Sequence, residues 1–193
     1  MSEPRPPRNN VGSLIEWMRH VNTVDSVENA RVSIAFQHHE IHEGNHYTAA
    51  TVDSDVDIIG PKYVRITAPD TTKRIHLVGV VSASAACLVE LYEDPTILVD
   101  GDALTKQNND RNSANVSTAT TFEDTTTQAP NNDGTLLFAG RIGGTGVAQT
   151  RFAGSVADRE EWILKQAATY LVKVTVDTDS TEVAIVLTWY EVS

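Results

Sequence analysis

The sequence predicts an all-β protein: a two-sheet β-sandwich, jelly-roll-like, preceded by an N-terminal arm and a short helix. Three observations predict it. From Arg31 onward, apolar residues recur at every second position in short runs, the period of strands with one face inward. Turn residues separate the runs, most strongly Asp100-Gly101 and Asn131-Asn132-Asp133-Gly134, because Asn, Asp and Gly tolerate positive φ. Helical periodicity is confined to one stretch near the N-terminus, so alternating βαβ units are not expected. At 193 residues the chain is long enough for one sizeable core without disulfides. Residues 1–30 are read as arm and helix, and 31–193 as the sandwich.

The elements follow in chain order. Residues 1–10, MSEPRPPRNN, hold three of the seven prolines, which favours an extended arm. In GSLIEWMRHV, Ser13 and Glu16 have capping-box spacing, while Leu14, Trp17, Met18 and Val21 fall at i, i+3, i+4 and i+7. That pattern is a short amphipathic helix, whose stripe docks either on this chain's core or on a neighbouring subunit. Val32, Ile34 and Phe36 alternate with polar neighbours and open the first strand. Strands are expected at Tyr63 to Thr67, Ile75 to Val81 and Ala86 to Tyr92, and Val116, Thr118, Thr120 and Phe122 mark a face of another. Near the end, Tyr170, Val172, Val174 and Val176 line one strand, and Val183, Ile185, Leu187 and Trp189 line the next. With Asp177 to Ser180 as the turn, they read as a hairpin.

Charge narrows the partners. Lys+Arg is 15 against Asp+Glu 26, a formal net charge of -11, which disfavours a backbone grip on nucleic acid. Cys87 lies in an apolar run and has no second cysteine to pair with, so it reads as a small buried hydrophobe. The first residues lack the apolar region of a signal peptide, and no run approaches the ~18 apolar residues of a spanning helix. Neither secretion by that route nor a membrane partner is expected.

One segment invites a chemical reading. HHEIHEGNHY, from His38, packs four of the six histidines and two glutamates into nine positions. If the strand begun at Val32 continues through 37–43, His38, Glu40 and His42 share one face. Those three are the candidate metal ligands of a cupin-like metalloenzyme. The spacing fits poorly, however: a metalloprotease needs two histidines four apart on a helix with Glu after the first, and His-x-Glu-x-His is not the cupin order. The competing reading is that these side chains hydrogen-bond to each other or to loops while Glu43-Gly44-Asn45 turns the chain; it is the expectation adopted, with no metal and no cofactor. Gly143-Gly144-Thr145-Gly146 lacks the Lys-Ser/Thr of a phosphate loop, no Gly-x-Ser-x-Gly elbow occurs, and Glu160-Glu161 reads as a solvated loop before Trp162. No catalytic residue is predicted, and the chain is not expected to be an enzyme.

In order along the chain, HHEIHEGNHY, RIHLVGVVSASAACLVELYEDPT, NNDRNSANVSTATTFEDTT, NNDGTLLF, REEWILKQAATYLVKVT and a closing LTWYE together resemble a family of tailed-bacteriophage structural proteins. The resemblance spans about residues 36 to 192. Where that family carries an Asn-Arg-Asn-Arg-Asn-Ser-Ser-like run, this chain reads Asn108-Asn109-Asp110-Arg111-Asn112-Ser113-Ala114. The resemblance implies a capsid decoration or cement protein, made in the bacterial host cytoplasm and placed on the outer capsid surface of the virion. Its implied partner is the major capsid protein, and its implied assembly a homotrimer. A receptor-binding or fibre-base module of the virion is the alternative. By composition, the capsid-facing part is the arm and helix, with Arg5, Arg8 and Trp17 as candidate contacts.

Overall fold

The computed structural model describes residues 23–24, 31–32, 36–127, 132–143, 148–151 and 161–192. The chain divides into two compact units, Met1–His39 and Glu40–Ser193. In the first, β1 (Thr23–Val24) pairs antiparallel with β2 (Arg31–Val32). A helix, α1 (Phe36–His42), crosses the boundary. The helix expected over Ser13 to Val21 and the residues Ile34, Gly144 to Gly146 and Glu160 lie outside the described residues.

The second unit is a two-sheet sandwich. Its long strands are β3 (His46–Val56), β4 (Lys62–Thr67), β5 (Arg74–Ala83) and β6 (Cys87–Glu93). Short pieces follow: β7 (Ile97–Val99), β8 (Asp102–Ala103), β9 (Gln107–Asn108), β10 (Thr120–Glu123) and β11 (Thr126–Thr127). The chain then returns through β12 (Thr135–Ile142), β13 (Ala148–Arg151), β14 (Trp162–Ile163), β15 (Thr169–Val176) and β16 (Thr181–Val192).

One sheet has the order β13-β5-β16-β3-β9 and the other β12-β6-β15-β4-β10-β8, while β14 adds to β5 and β7 pairs separately with β11. Strands β3 to β6 alternate between the sheets. The later strands come back beside them in reverse, β12 on β6, β13 on β5, β15 on β4 and β16 on β3, all antiparallel. Four nested antiparallel pairs wound into two sheets are the jelly-roll arrangement. The expected all-β sandwich is therefore present, and its winding is that of a jelly roll.

Alternation explains the core. On β5, Ile75, Leu77, Val81 and Ala83 are buried; on β16, Val183, Ile185, Leu187 and Trp189 are; on β15, Tyr170, Val172, Val174 and Val176 face them. Tyr47 and Trp189, opposite each other on β3 and β16, pack with ring centroids 6.0 Å apart. Cys87 is buried at the start of β6, as expected of a small hydrophobe.

The structure corrects three expectations. Residues 170–176 and 183–189 are not a hairpin: β15 and β16 belong to different sheets, and the turn at Asp177 to Ser180 carries the chain across the core. Two consecutive alternating strands look identical from sequence whether they pair side by side or face each other. The strand expected from Val116 is shorter, because Val116 is exposed and Ser117 to Ala119 are held by side-chain bonds rather than a ladder. Residues 37–43 do not extend a strand, since Phe36–His42 is helical.

Candidate functional site

Of the sequence-predicted contacts, Arg5, Arg8 and Trp17 lie outside the described residues. His38, Glu40 and His42 do not form a ligand set. A strand would have placed all three on one face, whereas the helix exposes both histidines and buries Glu40. The Glu40 carboxylate accepts a hydrogen bond from Asn45 Nδ2 at 3.2 Å, and the Asn45 N–H donates to the Glu40 carbonyl at 2.9 Å. Gly44, at φ 71°, ends the helix in the left-handed conformation, and a Cβ there would collide with Ser113. Among the described residues, no group of three or more His, Cys, Asp or Glu side chains is placed to hold a metal ion.

What the segment does hold is a loop. Asn108 Nδ2 donates to the Gly44 carbonyl at 2.8 Å, Asn115 Nδ2 to the Glu43 carbonyl at 3.3 Å, and the Asn109 N–H to the His46 carbonyl at 2.9 Å. Asn109 Nδ2 lies 2.7 Å from His46 Nδ1, which makes that ring nitrogen the acceptor and the imidazole neutral. Burial lowers the His46 pKa, with the nearby Glu40 charge pulling the other way, and the neutral form fits the bond. The Asn-rich run and the His/Glu run are thus two sides of one amide network. Ile41, Gln107, Asn108, Asn109 and Arg111 leave an open groove beside it.

Glu191, on the inward face of β16, fixes the next part of the loop. It is fully buried and accepts from Ser117 Oγ at 2.6 Å, the Thr118 N–H at 2.9 Å and Thr118 Oγ1 at 2.6 Å. The Ala119 N–H and Trp189 Nε1 reach it at 3.4 Å, and Lys73 Nζ lies 3.8 Å away. An inward carboxylate on a core strand is tolerated because its lone pairs are met.

On the outer face of the β5-β16-β3 sheet, three consecutive rows carry no charged side chain. Across β3, β16 and β5, successive rows read Thr48, Thr188, Val78; then Ala50, Val186, Val80; then Val52, Ala184, Ser82. These alternate with the buried positions and so point outward. Val52 is 67% exposed, and Ala50 is also open to solvent. At one end the face stops at a row of rings, His46, Tyr190 and His76, with His76 stacked on Tyr190 at 4.6 Å between centroids. Glu161 joins the last two, accepting from Tyr190 Oη at 2.5 Å and lying 2.8 Å from His76 Nδ1. It is a partly buried bridge rather than the solvated loop residue expected.

No protein-family model, curated protein or solved structure matches the chain. No helix among the described residues is long and apolar enough to cross a membrane. The uncharged face was missed because only the inward parity of each strand was read. Its signal was present: in LVGVVSA and VAIVLTW both parities are apolar or hydroxylated, the composition of a strand covered on two faces.

Proposed function

We propose that the chain is a virion structural protein that decorates and stabilises a bacteriophage capsid by bridging subunits of the major capsid protein, without enzymatic activity. The observation that carries this reading is the uncharged sheet face. In a chain of net charge -11, a continuous outward surface of Val, Ala, Thr and Ser is costly to leave in water and is what a protein contact uses. A protein that binds only the assembled shell stabilises it by mass action. The arm, with Arg5, Arg8 and Trp17, is the second proposed contact, and a homotrimer on the outer capsid surface the proposed assembly.

The groove lined by Gln107, Asn108, Asn109 and Arg111 favours a second reading, a receptor-binding or fibre-base module, because amides and a guanidinium suit a polyhydroxylated ligand. A cupin-like metalloenzyme has lost its support, since its three ligands do not share a strand face. The test is co-sedimentation with purified shells lacking the protein. Wild type is expected to bind at fixed stoichiometry, and Val52→Glu with Val80→Glu to bind at least about tenfold more weakly, because each carboxylate loses its water on contact. Equal binding by wild type and double variant would remove the face from the account.

A further inference from the structure

The two ends of the β5-β16-β3 sheet present different side chains. At the β3–β4 turn, Ile58 and Ile59 stand out into solvent, Ile59 at 94% exposure. That turn is braced: the Ile58 N–H donates to Asp179 Oδ1 at 2.9 Å and the Ser180 N–H to Asp57 Oδ1 at 3.2 Å. The two braced turns therefore present an apolar knob beside Asp57 and Asp179, with Asp177 and Glu182 at the ends of the second turn. Arg141 pairs with Asp177, and Lys62, just after the knob, is taken up by Asp53, Glu123 and Asp124.

The opposite end of the same sheet is its complement. Arg74 pairs with Val192 at one end of β16, while the acidic turn precedes Thr181 at the other, roughly 35 Å away at the rise of an extended strand. There, a cleft of about 540 Å³ opens between residues 68–74 and 163–166. Its cations are Lys73, Arg74 and Lys165, its apolar wall the exposed Ile163, and its hydroxyls those of Thr71 and Thr72. Lys165 is engaged with Glu93 at 2.5 Å and Lys73 lies near Glu191, but no hydrogen bond or ion pair among the described residues reaches the Arg74 guanidinium. With Asp70, hydrogen-bonded by Gln166, also at its border, Arg74 is the cation of the cleft left without a partner among the described residues. Both walls are fixed, with the Leu164 N–H on the Ile75 carbonyl and the Ala167 N–H on the Pro69 carbonyl.

We propose that copies of this chain associate head to tail, the Ile58-Ile59 knob of one seating in the Arg74 cleft of the next. Apolar tip meets apolar wall, and the carboxylates beside the knob meet the unpaired Arg74 guanidinium. The contact is heterologous, so successive copies close into a ring or stack openly. It rests on and deepens the reading of the chain as an assembly protein. Shell binding through the uncharged face does not require it, so either result can fail alone.

The test uses the full chain in sedimentation velocity at low salt. Wild-type mass is expected to rise with concentration below about 100 µM, the range of weak transient contacts. Ile59→Arg and Arg74→Glu, both at exposed positions and each checked for an unchanged thermal transition, are each expected to weaken self-association at least tenfold. Mixed in equal amounts, they are expected to form a dimer and nothing larger, because one supplies the intact cleft and the other the intact knob. A wild type that stays monomeric, a single variant that associates like wild type, or a mixture without dimers would each overturn the proposal.

Discussion

Replacing Glu191 probes the loop that the core strand holds. Its carboxylate takes two strong hydroxyl bonds and the Thr118 amide within 2.9 Å, with Ala119 and Trp189 at 3.4 Å. Hydrogen bonds to a charged group are worth about 1.5–3 kcal/mol against about 0.5–1.5 for neutral ones, so Glu191→Gln, which keeps the shape and one acceptor oxygen, should cost about 2 kcal/mol. In Glu191→Ala the hydroxyls can turn elsewhere, and Trp189 Nε1 and the Ala119 N–H keep Ser117 Oγ at 3.2 Å. The Thr118 N–H is stranded, a cavity remains, and the expected cost is about 3–5 kcal/mol. With a urea slope of about 2 kcal/mol/M, the alanine midpoint should fall by about 1.5–2.5 M at unchanged slope. Hydrogen exchange adds a local readout: the Thr118 amide, outside any strand, should be protected in wild type and exchange fast in the alanine variant. A loss below about 1 kcal/mol, or equal exchange in both proteins, would refute the clamp.

Five further outcomes are expected. Lys62, nearly buried between Asp124 at 2.7 Å, Glu123 at 3.0 Å and Asp53 at 3.5 Å, should cost about 1–3 kcal/mol on substitution by Met in urea titration, since charged hydrogen bonds are lost but the carboxylates keep access to water. Burial raises the Glu123 carboxyl, but bonds from Thr51 and Lys62 outweigh it and hold it below its ordinary value; a carboxylate so depressed adds stability at neutral pH that disappears on acidification. Wild type should accordingly lose stability below about pH 4 more steeply than Glu123→Gln. His46, lowered by burial, favours the fold while neutral, so its contribution is lost as pH falls through 6.5 and below; an NMR titration midpoint above 6.5 would contradict this. Burial pushes the Cys87 thiol up to about 11, so a disulfide reagent should modify it no faster than the protein unfolds. His38→Ala with His42→Ala should change stability by less than about 0.5 kcal/mol, both being exposed, and protein purified without tag or added metal should hold none stoichiometrically by elemental analysis.

The fold was legible where burial repeats every second residue. Ile75, Leu77 and Val81, or Val183, Ile185 and Leu187, announce strands because one face must be apolar over the whole length. Which strands pair was not legible, as the β15–β16 turn shows, because the same alternation serves a hairpin and a crossing between sheets. The His/Glu run misled because polar residues carry no period: Phe36–His42 is helical to bury Glu40 and to let Gly44 turn the chain, and neither demand is visible at those positions. Glu191 and Glu161 gave no local signal either, since their partners at Ser117 to Ala119 and at His76 lie far along the chain. The Ile58-Ile59 knob was readable as an apolar pair beside Gly60-Pro61, a turn, where apolar residues have nothing of their own to cover.

The central claim is decided most directly by counting copies. Quantitative mass spectrometry of purified particles, scaled to the major capsid protein, is predicted to find hundreds of copies per virion, the stoichiometry of a protein bound across a capsid lattice. A few dozen copies or fewer would assign the chain to the tail or fibre, and its absence from the particle would contradict the structural reading altogether.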